Sequence, residues 1–111
     1  MTAIVRAAIT DGGDRRLSVN ALSAAAGLSR SHFSRLFRAS FGYPPRAYIV
    51  RLRIRRAMAL MTQTDRALSA IALDAGFADQ AHLSRTFRRV VGQRPLQWRR
   101  AQRGAAPVVL P

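Results

Sequence analysis

The sequence predicts an all-α fold of about seven helices, in which two similar helical units are joined by one long linker helix. Three observations support this prediction. Apolar residues recur at helical spacing along the chain, and no segment shows a competing strand pattern. Glycine, proline and capping residues separate the helical stretches. A motif from the first half of the chain also recurs in the second half.

The repeat relates two stretches of the chain at a constant offset. Ser34–Arg38 reads SRLFR and Ser84–Arg88 reads SRTFR, an offset of 50 residues. The same offset relates the glycine and the proline that follow each stretch. Gly27 and Gly76 are 49 residues apart, which places a one-residue difference between the copies in the turn after Gly27. Two copies with this long a period indicate a duplicated helix-turn-helix.

The first unit is predicted to hold three helices. A short helix spans residues 3–10 and ends at an Asp-Gly-Gly sequence. A second helix spans residues 18–26, with Ser18 as its N-cap and Gly27 as its C-terminal stop. Ser29 caps the third helix, which ends at a glycine. Its buried face is assigned to Phe33, Leu36, Phe37 and Phe41.

The linker helix and the second unit follow the same rules. Pro44 and Pro45 begin the linker helix, which runs to about Met61, and residues 62–66 form a break. Ser69 opens the next short helix, and Gly76 ends it. Asp79 caps the longer partner, whose buried face is assigned to Leu83, Phe87, Val90 and Val91. A last short helix begins at Pro95 and ends near Ala101, and residues 104–111 are expected to form a flexible tail.

The charge is the clearest functional signal. The chain has 19 Lys and Arg residues against 5 Asp and Glu residues, a net charge of +14 that favours a polyanion as partner. It has no cysteine, which excludes disulfides, cysteine nucleophiles and thiolate metal sites. No apolar run approaches the roughly 20 residues that a bilayer span needs. We expect no metal, no cofactor and no membrane partner.

The outward face of the longer helix in each unit carries side chains that suit DNA. Arg can bond guanine and Gln can bond adenine through paired hydrogen bonds, and Ala can contact a thymine methyl. The flanking arginines suit phosphates, and these are Arg30, Arg38, Arg88 and Arg89. The linker helix of about 17 residues spans roughly 25 Å, which would let one chain read two successive major grooves. At least one linker-helix arginine among Arg51, Arg53, Arg55 and Arg56 is expected to pair with an Asp or to cap a neighbouring helix, and the others are expected to be mostly solvated.

The segments Ile71–Arg89 and Gly92–Arg99 resemble the AraC/XylS family of bacterial transcription regulators. They contain the pattern A-x-x-x-G-F, then S-R-x-F, then G-x-x-P followed by an aromatic residue and Arg. The resemblance covers about residues 17–100 and implies a seven-helix, homeodomain-like DNA-binding domain. It implies helix-turn-helix units at about 17–42 and 68–92, a linker helix at 44–62 and a domain boundary near 103. The base contacts that it implies are Ser31, Ser34, Arg35, Gln80, Ala81, His82, Ser84 and Arg85.

The family usually carries an effector-binding or dimerisation domain before this one. We therefore expect the chain to be a fragment of a longer regulator, with a stand-alone regulator as the alternative. RNA polymerase is expected as a further partner. The expected location is the cytoplasm, at the nucleoid. Competing functions are a nonspecific nucleic-acid-binding or nucleoid protein, an enzyme and a membrane-surface protein. Similar affinity for all DNA sequences would indicate a nonspecific nucleic-acid-binding or nucleoid protein. No nucleotide-binding loop or set of catalytic residues in the sequence supports an enzyme. Membrane binding is disfavoured because the apolar faces of the helices are needed for the core.

Overall fold

The computed structural model describes residues 18–109, with side chains through Gly104, and this part of the chain is entirely α-helical outside its turns. The prediction of an all-α fold is confirmed. The predicted helix at residues 3–10 lies outside the described residues. The described helices are α1 (Val19–Ala25), α2 (Arg30–Phe41), α3 (Pro45–Gln63), α4 (Leu68–Asp74), α5 (Gln80–Val91) and α6 (Pro95–Val109).

The chain divides into two compact units at a boundary inside α3, between Arg53 and Ile54. The first unit contains α1, α2 and the beginning of α3, and the second contains the rest of α3 with α4, α5 and α6. The long helix is therefore shared, as the linker helix was predicted to be. In the first unit α1 packs on α2, and in the second unit α4 packs on α5. Each unit thus holds one helix-turn-helix pair.

The core of the first unit is built by aromatic and aliphatic side chains from three helices. Phe33 and Phe37 of α2 are fully buried, and Ile49 of α3 is buried beside them. Phe37 lies 5.6 Å from the ring of Tyr48 and 4.3 Å from that of Phe41. Ring contacts at these distances add to the free energy gained from apolar burial. The core therefore fixes which face of α2 points inward.

The second unit repeats this arrangement with different residues. Leu83 and Phe87 of α5 are fully buried, and so is Ile71 of α4. Phe87 packs edge-on against Trp98 of α6, with ring centroids 5.6 Å apart. In the first copy Ser23 takes the place of Ala72; it is buried, and its hydroxyl donates to the carbonyl of Asn20 (3.0 Å). Serine is thus accommodated at the crossing of α1 and α2.

Most helix ends lie where the sequence placed them. Ser18, Ser29 and Asp79 are the N-caps of α1, α2 and α5, and each side chain accepts a backbone hydrogen bond. Gly42 ends α2 with φ of 85°, a left-handed conformation in which a Cβ would be strained. Ser69 was wrongly predicted to open α4. The helix begins at Leu68 after Ala67, which makes no side-chain cap bond.

Two residues assigned to the buried faces are exposed. Leu36 of α2 is 40% exposed and Val90 of α5 is 44% exposed. Each follows a buried phenylalanine by three residues, a position near the edge of the buried stripe where burial depends on what packs against it. The position equivalent to Leu36 in the second unit is Thr86, which is buried. The assignment of Leu36 and Val90 to the core was therefore wrong.

The last helix is longer than predicted. α6 runs to Val109, so the end near Ala101 and the tail assigned to residues 104–109 were wrong. Arg99 and Arg103 bind the carbonyl groups at the end of α3. The guanidinium of Arg99 donates to the carbonyls of Met61 (2.9 Å), Thr64 (2.7 Å) and Arg66 (2.8 Å). Arg103 also donates to Met61 and Thr64, which holds α6 in place beyond Ala101.

Candidate nucleic-acid interface

The outward face of α2 presents the polar residues of the first unit. Because Phe33 and Phe37 are fully buried, the opposite side of the helix points to solvent. Ser31 and Arg35 are exposed there, and Ser34 is half-buried at the edge. Arg30 and Arg38, assigned to phosphates, are also exposed. The structure therefore brings the predicted residues of the first unit onto one helix, on the side away from the core.

The outward face of α5 presents the polar residues of the second unit. Leu83 and Phe87 anchor the helix. Gln80, Ala81 and Arg85 are exposed, whereas His82 and Ser84 are half-buried. The two arginines assigned to phosphates, Arg88 and Arg89, are exposed. Arg35 and Arg85, which the repeat relates, are both exposed, and each lies six residues after its N-cap.

The N-caps determine where each outer helix begins. In α2 the hydroxyl of Ser29 accepts the backbone N–H of His32 (3.1 Å). In α5 the carboxylate of Asp79 accepts the backbone N–H of His82 (2.8 Å). A cap of this kind adds about 1 kcal/mol of helix stability and fixes the first turn. The first turns of α2 and α5 carry candidate base-reading residues, so the caps hold the part of each helix that enters a groove in helix-turn-helix proteins.

Two of the three acidic side chains of the second unit, those of Asp65 and Asp74, pair with arginines that lie outside the outer faces. Asp74 accepts hydrogen bonds from Arg56 (3.2 Å) and Arg66 (3.1 Å), and Asp65 accepts one from Arg103 (2.7 Å). The hydrogen bond from Arg66 is the main cause that lowers the pKa of Asp74, with added charge effects of Arg56 and Arg66. The pairing of Arg56 with an Asp confirms one expectation for the linker helix.

The arginines of the outer faces have no such partners. Within residues 18–109, no ion pair or hydrogen bond involves the guanidinium groups of Arg30, Arg35, Arg38, Arg85, Arg88 or Arg89. Their donors remain available to a ligand, and no described carboxylate neutralises them. The outer faces are therefore positively charged surfaces with open hydrogen-bond donors, which suits an anionic polymer.

A concave surface beside α5 extends this interface. It has a volume of about 340 Å³ and opens between the N-terminus of α4, the outer face of α5 and the beginning of α6. Sequence reasoning missed four of its residues, Leu68, Arg94, Pro95 and Leu96, although the last three lie in the stretch Gly92–Arg99 that carries the G-x-x-P pattern. Arginines on an apolar wall can bind a phosphate next to a deoxyribose. Its walls are formed by Leu68, Gln80, Ser84, Arg85, Arg88, Arg94, Pro95 and Leu96.

In the stretch from Ser18 to Val109, none of the helices has both the length and the hydrophobicity that crossing a bilayer requires. Linker-helix residues Ile49, Ile54 and Ala57 are buried within their units. The apolar face of this helix is thus used by the core.

Comparison with known proteins agrees with the geometry. A family model described as "Helix-turn-helix domain" matches residues 22–101. The chain is 34% identical over 84 residues to the probable transcriptional regulator LumQ of Photobacterium leiognathi, covering 76% of this chain and 34% of LumQ. The chain therefore spans about a third of that relative.

Solved structures extend the comparison to the fold. The DNA-binding domain of the global transcriptional factor AdpA, solved in complex with a target DNA, superposes with a TM-score of 0.86 at 29% identity, covering 96% of this chain and 95% of that one. An AraC-type regulator from Chromobacterium violaceum gives a TM-score of 0.78 at 31% identity, covering 91% and 89%. Since the family model spans most of the chain and the same fold recurs in these structures, the chain belongs to the AraC family of helix-turn-helix DNA-binding domains.

Proposed function

We propose that this domain binds double-stranded DNA in a sequence-specific manner and regulates transcription. The observation that carries the proposal is the recurrence of an exposed arginine without a described partner at the same position of α2 and α5. A solvated arginine needs no such repetition, whereas base reading by two related helices requires it. The AdpA domain bound to a target DNA and the name of LumQ support the same function.

The proposal divides the outer faces into base contacts and backbone contacts. Arg35 and Arg85 would bond guanine, and Gln80 would bond adenine. The remaining base contacts are assigned to Ser31, Ser34, Ala81, His82 and Ser84. Arg30, Arg38, Arg88 and Arg89 would bind phosphates, which positions the domain without selecting a sequence. Each unit would occupy its own major groove, about one helical turn from the other.

Partners beyond DNA also belong to the proposal. Because the chain spans about a third of LumQ, an effector-binding or dimerisation domain and RNA polymerase are proposed as partners of the whole regulator. Its place of action would be the cytoplasm, at the nucleoid.

Selection of bound duplexes from a random DNA pool tests the proposal. The expected result is two short enriched motifs about 10 base pairs apart, one for each unit. The selected duplex is then compared with a shuffled duplex of the same composition by fluorescence anisotropy at matched salt. A single motif would contradict the two-groove arrangement, and no enrichment at all would contradict sequence-specific binding.

A nonspecific nucleic-acid-binding protein is the second candidate, and the net charge of +14 favours it. Such a protein would bind the selected and shuffled duplexes with similar affinity and lose affinity steeply with salt. A specific domain also loses affinity with salt, so the ratio between the two duplexes is the deciding quantity. A ratio near one would favour the nonspecific candidate.

A further inference from the structure

His82 binds the turn that precedes α5 through both its backbone and its ring. Its backbone N–H donates to the carboxylate of Asp79 (2.8 Å). Its ring Nδ1 accepts a hydrogen bond from the backbone N–H of Ala78 (3.2 Å). The ring also packs edge-on against Phe77, with centroids 5.2 Å apart. One backbone contact and two ring contacts therefore hold His82 at the start of the helix that carries the second set of candidate base-reading residues.

Ala78 is the residue by which the two turns differ. The glycines Gly27 and Gly76 are 49 residues apart, whereas the N-caps Ser29 and Asp79 are 50 residues apart. The first turn therefore has one residue between glycine and cap, and the second turn has two. The additional residue brings an additional backbone N–H, and this group donates a hydrogen bond to Nδ1 of His82.

The rest of the turn is alike in both units, which isolates this difference. The N–H of Leu28 donates to the carbonyl of Ser23 (3.0 Å), and the N–H of Phe77 donates to the carbonyl of Ala72 (2.9 Å). His32 stands in the first unit where His82 stands in the second. It is exposed, and its ring makes no hydrogen bond with any residue from Ser18 to Val109. Conversely, the ring of His82 has a partner that exists only in the longer turn.

The bond to Ala78 decides which ring nitrogen carries a proton. A backbone N–H can only donate, so Nδ1 must offer a lone pair. An imidazole with a lone pair on Nδ1 carries its proton on Nε2. Nε2 forms no hydrogen bond within the described range of the chain. The half-buried ring thus keeps one group available to a ligand, the Nε2–H donor.

We propose that His82 is a positioning and specificity-determining residue, which satisfies the additional turn residue through Nδ1 and presents only an Nε2–H donor to DNA. This inference rests on the proposed function for its second half alone. His82 is a neighbour in sequence of the candidate base-reading residues Ala81 and Ser84 on α5. Because Nε2–H is a donor, its DNA partner is an acceptor, either a base atom such as guanine O6 or N7 or a phosphate oxygen. A donor-only group such as the cytosine amino group would be rejected at this position.

The tautomer is tested first, without DNA. Nitrogen-15 NMR of the free domain at a pH where both rings are neutral distinguishes a protonated from an unprotonated ring nitrogen. The expected spectrum shows His82 as the single Nε2–H tautomer and His32 as an averaged mixture. A His82 spectrum averaged in the same way as that of His32 would overturn the positioning role.

Two substitutions separate the inner contact from the outer one. His82→Asn can place its amide oxygen near the site of Nδ1, keeping an acceptor for Ala78 but losing the donor at Nε2. His82→Gln can place an amide nitrogen near the site of Nε2, keeping a donor but losing the inner acceptor. His32→Asn is the matched control, since it removes the equivalent ring from the first unit.

The two variants are expected to fail in different measurements. His82→Asn should bind the selected duplex roughly tenfold more weakly while leaving amide hydrogen exchange of Ala78 unchanged. His82→Gln should exchange the Ala78 amide several-fold faster and retain more of the affinity. Wild-type affinity of His82→Asn would overturn the donor role, and unchanged Ala78 exchange in His82→Gln would overturn the positioning role. A domain that enriches no sequence would refute the proposed function and the donor role while the tautomer result still stands.

Discussion

At the scale of single residues, the position of an arginine determines its role more than its charge does. Arg99 and Arg103 donate to carbonyls at the end of α3, and Arg56 pairs with Asp74. Arg85 has no such partner among the described residues and lies on the exposed face of α5. The same guanidinium group is therefore structural in one place and open to a ligand in another.

Arg85→Ala tests the role of an arginine whose guanidinium group is open to a ligand. A paired hydrogen bond to guanine contributes about 1–3 kcal/mol of discrimination between bases. We therefore expect the variant to lose about 5- to 150-fold in affinity for the selected duplex, and only a few-fold for a shuffled duplex. Arg100→Ala is the matched control, since it removes the same charge from an exposed position of α6. Equal losses on both duplexes would make Arg85 a phosphate contact.

Asp74 links acid stability to the structural arginines. Its pKa is lowered, chiefly by the hydrogen bond from Arg66, so the folded state favours the ionised carboxylate. The stabilisation is therefore complete above the ordinary pKa near 4 and is lost as the pH falls through the lowered folded value. Asp74→Asn should lower the free energy of unfolding by about 0.5–1 kcal/mol at pH 7 and by progressively less as the pH falls below about 4. Urea denaturation across this pH range measures both.

Asp65→Asn is the control for this prediction. The pKa of Asp65 is also lowered, by the hydrogen bond and charge of Arg103, but its side chain is 94% exposed against 31% for Asp74. Solvent screens such a pair, so its replacement should leave stability nearly unchanged at pH 7. A larger effect at Asp65 than at Asp74 would contradict this account of the acid transition.

At the scale of helices, the sequence predicted where most helices end and that a linker-helix arginine pairs with an Asp or caps a neighbouring helix. It did not predict the contacts of α6 with the end of α3. Ser18, Ser29 and Asp79 act locally, within three residues, so their roles can be inferred from spacing. The contact of Arg99 with Met61 spans 38 residues, and no local pattern reveals it. For this reason the end of α6 was placed too early.

The candidate site shows the same division. The outward faces of α2 and α5 followed from the buried phenylalanines, because helical period sets the opposite face. Arg94 and Leu96 were missed because they join the interface only when α6 packs beside α5. Whether the ring of His82 turns inward also depends on the geometry of the turn, which spacing alone does not specify.

Arg99→Ala tests the long-range contact at the end of α3. The side chain donates three hydrogen bonds to backbone carbonyls in the last turn of α3 and in the segment that follows it. Their loss should lower the free energy of unfolding by about 2–3 kcal/mol, measured by urea denaturation. Arg99→Lys should recover only part of this, because an ammonium cannot reproduce the planar fork. Arg100→Ala should change stability by less than about 0.5 kcal/mol, and an equal loss there would argue against the capping role.

At the scale of the whole molecule, duplication gives one chain two surfaces of the kind that helix-turn-helix dimers obtain from two chains. Each unit has its own buried core and its own outer helix. The units differ at equivalent exposed positions, with Arg30 and Ser31 in α2 where α5 has Gln80 and Ala81. Such a molecule should recognise an asymmetric site, which fixes the direction in which it binds the DNA.

The independence of the two surfaces can be measured with Arg35→Ala and Arg85→Ala. If each arginine reads its own motif, repeating the selection with one variant should relax the base preference in one motif and leave the other unchanged. The two losses of binding free energy should then add in the double variant within about 0.5 kcal/mol, because the residues share no partner. Relaxation of both motifs by a single substitution, or a strongly non-additive double variant, would mean that α2 and α5 read one common set of bases and that the duplicated units do not act separately.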